Sequence, residues 1–199
     1  MIDANLQSQL REKFNPEGSM LRRQQLRMLE ILLYIDKVCK EHNITYWLSS
    51  GSLLGAVRHG GFIPWDDDLD IEMLREDYEK FIKVFPNNED FVLQTHKNDR
   101  NYLLPFAKVR DLQSELDEFG HNATFKYKGL FVDVFCLEMT PRFAYVFYGG
   151  LFYLLQKMQH SSSNCIIREL VVIFKNISYL SIALFRPILR IFPHKNLNH

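Results

Sequence analysis

The stretch Phe62-Ile63-Pro64-Trp65-Asp66-Asp67-Asp68-Leu69-Asp70-Ile71-Glu72-Met73 decides how this chain is read. Three consecutive aspartates run into an alternating acidic and apolar segment, directly after a glycine turn at Gly60-Gly61. Side chains two apart on a β-strand point to one face. The alternation predicts a strand over Asp68–Met73 that shows Asp68, Asp70 and Glu72 to one side and buries Leu69, Ile71 and Met73 on the other. Alternate residues lie roughly 7 Å apart along a strand, so the carboxylates of Asp68 and Asp70 can converge on one divalent ion or a close pair. So much like charge at the end of a buried strand is unfavourable without a cation. Hard oxygen ligands suit Mg2+ or Mn2+, ions that usually work beside phosphate. The spacing is not that of a calcium loop, which needs D-x-D-x-D-G and a glutamate at the twelfth position. If the strand has begun there, Asp67 should point away from Asp68; Asp66 reads as a supporting group, and Glu72, further along the strand, as structural.

Upstream, Ser49-Ser50-Gly51-Ser52 and the residues to Gly61 read as a strand end, a tight Gly-Ser turn and a short helix stopped by glycines. Such a turn presents N–H groups and a hydroxyl to phosphate oxygens. Gly51-Ser52 is a weak signal alone and a stronger one here, a single short helix before the acidic strand. Leu21–His42 has helical periodicity, with Leu26, Leu29, Leu33 and Val38 near one face and Asn43 as a stop. Residues 1–20 are polar, with a turn at Asn15-Pro16-Glu17-Gly18, and predict a loose lead-in. Thr45–Leu48 reads as a short strand, Arg75–Val84 as a charged helix, and Phe91–Thr95, Leu103–Arg110 and Gly129–Leu137 as further strands. The order implies an α+β sheet domain with flanking helices over residues 21–141.

Asp133 is the single charge in Gly129-Leu130-Phe131-Val132-Asp133-Val134-Phe135. Burying an unpaired carboxylate there would cost several kcal/mol. It either meets water at a strand end or has a cation; a metal site shared with Asp68 and Asp70 is the economical reading, an ordinary capping acid the plain one.

The chain has 199 residues and no net charge, but the charge is split. Residues 1–141 carry 17 Lys/Arg against 23 Asp/Glu, a net −6, and residues 142–199 carry 7 Lys/Arg against Glu169 alone, a net +6. The second part is aromatic and apolar. It predicts helices that either lie in a membrane interface with Arg168, Lys175, Arg186 and Arg190 along one side, or cover the sheet or a partner. Its basic residues sit among apolar ones rather than on a polar face, which argues against nucleic acid. Cys39, Cys136 and Cys165 read as buried free thiols in a reducing, cytoplasmic setting. The polar start Met1-Ile2-Asp3-Ala4-Asn5 does not look like a secretory leader.

The run Tyr46-Trp47-Leu48-Ser49-Ser50-Gly51-Ser52-Leu53-Leu54-Gly55-Ala56-Val57-Arg58-His59, followed by Gly61 to Asp70, resembles the LicD/fukutin-related family. The likeness continues through Arg75-Glu76-Asp77-Tyr78, Pro105-Phe106-Ala107-Lys108 and Gly129–Phe135. It implies a nucleotidyltransferase-like mixed sheet, with Asp68 and Asp70 as a D-x-D pair, Asp133 as the third carboxylate, and all three as catalytic metal ligands. It also implies Gly51 and Ser52 as the phosphate turn, with Arg58 and Lys108 as candidates to hold phosphate oxygens. The implied activity is transfer of phosphocholine or a related phospho-alcohol from a CDP-linked donor to a cell-surface glycan or lipid-linked sugar, at the inner face of the membrane. Two alternatives use the same residues: a nucleotidyltransferase releasing pyrophosphate, and a non-catalytic metal-stabilised interaction module. Family members continue with a segment rich in Tyr-Gly-Asp and prolines, and nothing like it stands before His199. His59 is expected to brace the glycine turn and Trp65 to anchor the core rather than stack on the donor. Tyr46, Trp65, Tyr102 and Tyr127 are candidates for an aromatic cage around a quaternary ammonium.

Overall fold

A computed structural model describes residues 3–102, 104–118 and 123–138, together with positions 150 and 154. The expected helical segment over 142–199, Cys165 included, otherwise lies outside the described residues. The unit described below is Met1–Glu138. It orders α1 (Ala4–Phe14), α2 (Met20–Glu41), β1 (Trp47–Leu48), α3 (Ser50–His59), β2 (Asp70–Leu74), α4 (Arg75–Val84), β3 (Phe91–Gln94), β4 (Ala107–Asp111) and β5 (Phe131–Leu137). The strands form one sheet in the order β1-β2-β5-β4-β3, with β2 and β5 parallel and the other pairs antiparallel. This is the mixed α+β sheet expected. No helix among the described residues is long and apolar enough to cross a membrane.

The two faces of the sheet differ in chemistry because side chains alternate. Ile71, Met73, Val109, Val132 and Val134 form an apolar face, all fully buried, against Met28, Ile31, Ile35 and Val38 of α2 and Phe81 of α4. Each such side chain contributes roughly 1.5–3 kcal/mol on burial. The stripe of α2 that faces the sheet is thus Gln25, Met28, Ile31, Ile35, Val38 and Cys39, whereas Leu26, Leu29 and Leu33 are exposed. Periodicity alone could not choose between them, since α2 carries apolar residues on more than one stripe. Ser19 caps its start by accepting from the Arg22 amide, and Asn43 in a left-handed conformation ends it, as its sequence predicts. Arg27 ties α2 to the end of β4 through Asp111, 2.7 Å away and buried. Asp111 is desolvated, yet the Arg27 guanidinium and neighbouring donors hold it below the usual carboxylate range.

Three expectations change. The lead-in holds a regular helix, α1, capped by Asp3, although none of its residues is buried. Its polar residues make it helical because Asp3 accepts from the Asn5 and Leu6 amides. Gly51 and Ser52 belong to the first turn of α3 rather than to a separate turn, because the chain reverses at Ser50, which takes a positive φ. The acidic strand begins at Asp70, not Asp68. Edge strand β1 reaches only as far as the Leu48–Ile71 pair, so Asp68 has no partner in the ladder there. Cys39 is buried with its thiol pushed up to about 12 by desolvation and then by Asp36, while Cys136 is only half-buried; neither is in a disulfide.

Gly129 has no room for a side chain, since a Cβ there would stand 1.7 Å from the Asp111 carbonyl oxygen. Gly129→Ala should cost about 3 kcal/mol or more in urea unfolding, at or above the top of the usual overpacking range. Gly61→Ala, where a Cβ meets nothing within 4 Å, should cost well under about 1 kcal/mol.

Candidate functional site

Sheet register builds the centre of the site. Asp70 of β2 lies opposite Asp133 of β5, and Asp133 lies opposite Lys108 of β4. Residues directly opposite on neighbouring strands share a face, so these three form one row on the polar side of the sheet. Lys108 is 3% exposed, with its ammonium 2.9 Å from Asp133 Oδ1, 3.7 Å from Glu118 Oε2 and over the Phe131 ring at 3.1 Å from its centroid. The Lys108–Asp133 contact is an ion pair without hydrogen-bond alignment, and Oδ1 is buried with no aligned donor among the described residues. Burial pushes the Asp133 carboxyl up to about 6 against the pull of Lys108, with Asp70 pushing the same way. Burial lowers the Lys108 ammonium, although Asp133 and Glu118 resist. Asp70 is raised by burial and then by Asp68, with the Ser50 hydroxyl and Lys108 opposing.

In front of this row stands the acid group. Asp66, Asp67 and Asp68 each bring a carboxylate oxygen within 4.8 Å of the others. Asp67 therefore does not point away, because no strand exists at 66–69 to impose alternation. Asp66 lies on the first turn of α3: a Cβ on Gly51 would stand 2.7 Å from Asp66 Oδ2. That turn carries unpaired N–H groups and the positive end of the helix dipole. Burial first, then Asp68, raises Asp66 to about 6. Asp68 is itself raised, by burial and then by Asp67. Close carboxylates hold a proton when no cation is present, so the donor set is one that a hard divalent cation fits.

The remaining expected residues divide. Ser52 is buried, and its hydroxyl oxygen accepts from the Asp70 amide at 2.8 Å, so it positions the start of β2. Glu72 is structural as expected, accepting from Trp47 Nε1 at 3.1 Å and Ser49 Oγ at 2.5 Å. Arg58 is exposed in the last turn of α3, eight residues or about 12 Å along the axis from its acid-bearing start. The structure does not bring it to the row. His59 Nδ1 pairs with Gln7 of α1 at 2.6 Å, bracing α1 more than the glycine turn. Trp65 is not a core anchor; it is 52% exposed and meets Phe14 edge-on at 5.1 Å. No cage assembles from the four aromatics: Tyr46 bonds Asp36 and Tyr102 is fully buried.

Sequence reading missed the layer that holds Lys108. Arg110 is fully buried and donates to Gln94 Oε1, the Gly129 carbonyl and Glu118 Oε1 at 2.8, 2.8 and 2.7 Å, with its guanidinium over Phe131. Gln94 donates to Asp99 at 2.6 Å. The alternation Ala107-Lys108-Val109-Arg110 was the available signal: two cations on one side of a buried strand demand acidic partners.

Chemically, the arrangement places an acid group, a buried carboxylate with a matched ammonium, and a helix start within one corner of the sheet. Residues 43–142 match the LicD/FKTN/FKRP nucleotidyltransferase domain. The chain is 36% identical over 124 residues to the lipopolysaccharide cholinephosphotransferase LicD of Haemophilus influenzae, covering 61% of this chain and 45% of that protein. It is 48% identical over 48 residues to the human ribitol 5-phosphate transferase FKRP, covering 24% of this chain and 10% of that protein. It is 38% identical over 96 residues to the mouse ribitol-5-phosphate transferase FKTN, covering 48% of this chain and 19% of that protein. The chain thus spans less than half the length of each of these relatives. With the domain match running through α3, the acid group, Lys108 and Asp133, the chain belongs to the LicD/FKTN/FKRP nucleotidyltransferase domain family.

Proposed function

We propose that this chain transfers a phospho-alcohol, phosphocholine or a polyol phosphate, from a CDP-linked donor to a glycan or lipid-linked sugar, using Mg2+ or Mn2+. The observation that carries this is the pairing of Asp70 with Asp133 on the parallel strands β2 and β5, with the Asp66–Asp68 acid group leading into β2 and the Lys108 ammonium beside Asp133. The names of the family relatives, a cholinephosphotransferase and two ribitol phosphate transferases, support the class of group transferred.

Asp68, Asp70 and Asp133 are the residues that would hold the metal, with Asp66 and Asp67 beside them. When bound, such an ion neutralises a diphosphate and stabilises the departing nucleotide. The first turn of α3, bare of a side chain at Gly51, offers backbone N–H groups to phosphate oxygens. Asp133, ionised above about 6, is suited to orient or deprotonate the acceptor hydroxyl near neutral pH. Lys108 is too deeply buried and too closely paired to serve the donor; its place is to hold Asp133 in its ionised form. A peripheral contact with the inner face of the membrane through 142–199 belongs to the same proposal.

With choline-labelled CDP-choline and a cell-envelope glycan fraction, wild-type protein should move label to the glycan. Asp68→Asn and Asp133→Asn should each lower kcat by about 100-fold, equivalent to about 2.7 kcal/mol of barrier. Label appearing on product from CTP alone would instead establish the pyrophosphate-releasing reaction, and unchanged rates in both variants would overturn catalysis at this corner.

The raised carboxyls also set a pH dependence. Asp66 and Asp133 stand at about 6 in the folded protein, above the ordinary aspartate value of roughly 3.9. An acid raised by folding leaves stability intact below its unfolded value and removes it as pH climbs through the folded one. Metal-free protein should therefore lose Tm from these groups between about pH 4 and 7. Mn2+ should restore it near pH 7 and do little near pH 4.5. His59, lowered by burial and then by Arg58 and Arg11, has the opposite slope below about 6.5. The difference between wild type and Asp66→Asn isolates the Asp66 share, while the Asp133 share remains in the variant.

A further inference from the structure

Beneath α1 lies a cavity of about 300 Å³ that none of the residues above uses. Arg11 and Glu12 of α1, Glu17 after it, Arg22 of α2, and Phe62 and Pro64 of the acid-bearing loop line it. α1 contributes no buried residue to the core. Polar and edge contacts hold it instead: Gln7 to His59, Phe14 to Trp65, and Asn15 to Gln25 at 2.7 Å. The helix roofs a hollow of mixed lining, with charged side chains on α1 and α2 and an apolar wall at Phe62 and Pro64.

We propose that this cavity is a subsite for one sugar ring of the acceptor; the proposal rests on the glycan-directed reading above. Its chemistry selects the class. Guanidinium groups only donate and carboxylates only accept, whereas a sugar hydroxyl does both. Two cations and two anions around one hollow therefore suit a neutral ring rich in hydroxyls. A phosphate would meet Glu12 and Glu17, and an ammonium would meet Arg11 and Arg22. Among the described residues the Arg11 and Glu12 side chains have no hydrogen-bond or ion-pair partner, while Arg22 reaches Glu17 at 3.8 Å and Gln25 at 3.5 Å. Phe62 and Pro64 supply an apolar wall for the ring's C–H face. At about 300 Å³ the space lies at the lower limit of ligand pockets, the size of a ring rather than a nucleotide.

The cavity is also joined to the acid group. Gln25, 1% exposed, donates to the Asp66 and Ile63 carbonyls at 2.8 and 3.2 Å. Trp65 stands between Pro64 on the cavity wall and Asp66 in the acid group, half exposed beside Phe14. A ring seated here lies next to the loop that carries the carboxylates, against Phe62 and Pro64.

Saturation-transfer NMR with a panel of methyl hexosides and N-acetylhexosaminides tests this on the full chain. At least one glycoside should show transfer and bind at least tenfold more weakly to Arg11→Ala and to Glu12→Gln. Both positions are exposed on a helix without buried residues, so circular dichroism and Tm should match wild type. Asp68→Asn should lose Mn2+ binding yet keep glycoside binding. No transfer from any glycoside, equal affinity in both α1 variants, or displacement of the glycoside by phosphocholine or CMP would each overturn the subsite. Failure of wild type to bind Mn2+ or CDP-choline, with glycoside binding intact, would instead overturn the donor chemistry and leave the subsite standing.

Discussion

The parallel pairing of β2 with β5 sets Asp70 opposite Asp133, and the antiparallel pairing of β5 with β4 sets Lys108 opposite Asp133 in turn. Two like charges about 5 Å apart at an effective dielectric of about 20 repel by roughly 3 kcal/mol. A sheet built for stability alone would not place carboxylates there. The buried ammonium offsets part of the repulsion, but a buried ion pair returns little net stability once desolvation is counted. The row is therefore a cost that the apolar face carries: Ile71, Val132 and Val134, the residues just beside it in the same strands, are fully buried against α2 and α4. One face holds the sheet together so that the other can concentrate charge.

The charged face is itself rigidly mounted. Arg110 spends its donors on Gln94, Gly129 and Glu118, and stacks on Phe131. Glu118 reaches back to Lys108, whose ammonium lies on the same ring. Lys108 cannot leave Asp133 without also leaving Glu118 and the Phe131 ring, so its ammonium is held from three sides. A carboxylate expected to act at one atom needs such a mount. The close approach of Gly129 to Asp111 closes the layer at its far end, where no side chain fits.

Much of this was legible in the chain. Alternation at Leu69, Ile71 and Met73 fixes which side of β2 is buried, because the period of a strand leaves no other choice. A lone aspartate among Phe131, Val132, Val134 and Phe135 announces a charge needing a partner. The partner it receives in the fold is Lys108, 25 residues away in sequence. That pairing depends on strand order, which local pattern does not encode. Helix α2 shows the converse limit, since Leu26 and Leu29 match the period as well as Met28 and Ile31 do, and only packing against the sheet decides. The direction of Asp67 depends on where the strand begins, and with β2 starting at Asp70 both Asp67 and Trp65 lie in an irregular loop, where no period governs orientation.

That loop is irregular but not loosely placed. On one side Gly55 lets α3 approach the Gly61 carbonyl and the Ile63 amide so closely that a Cβ would stand 2.5 and 2.9 Å from them. On the other, the Gln25 amide holds the Ile63 and Asp66 carbonyls. Gly51 then gives the Asp66 carboxylate its seat at the start of α3. Three residues without catalytic chemistry thus position the acid group from two helices, and the same Gln25 forms part of the floor of the α1 cavity. Donor chemistry on the α3 side and sugar recognition on the α1 side would share a single stretch of backbone, Ile63 to Asp66.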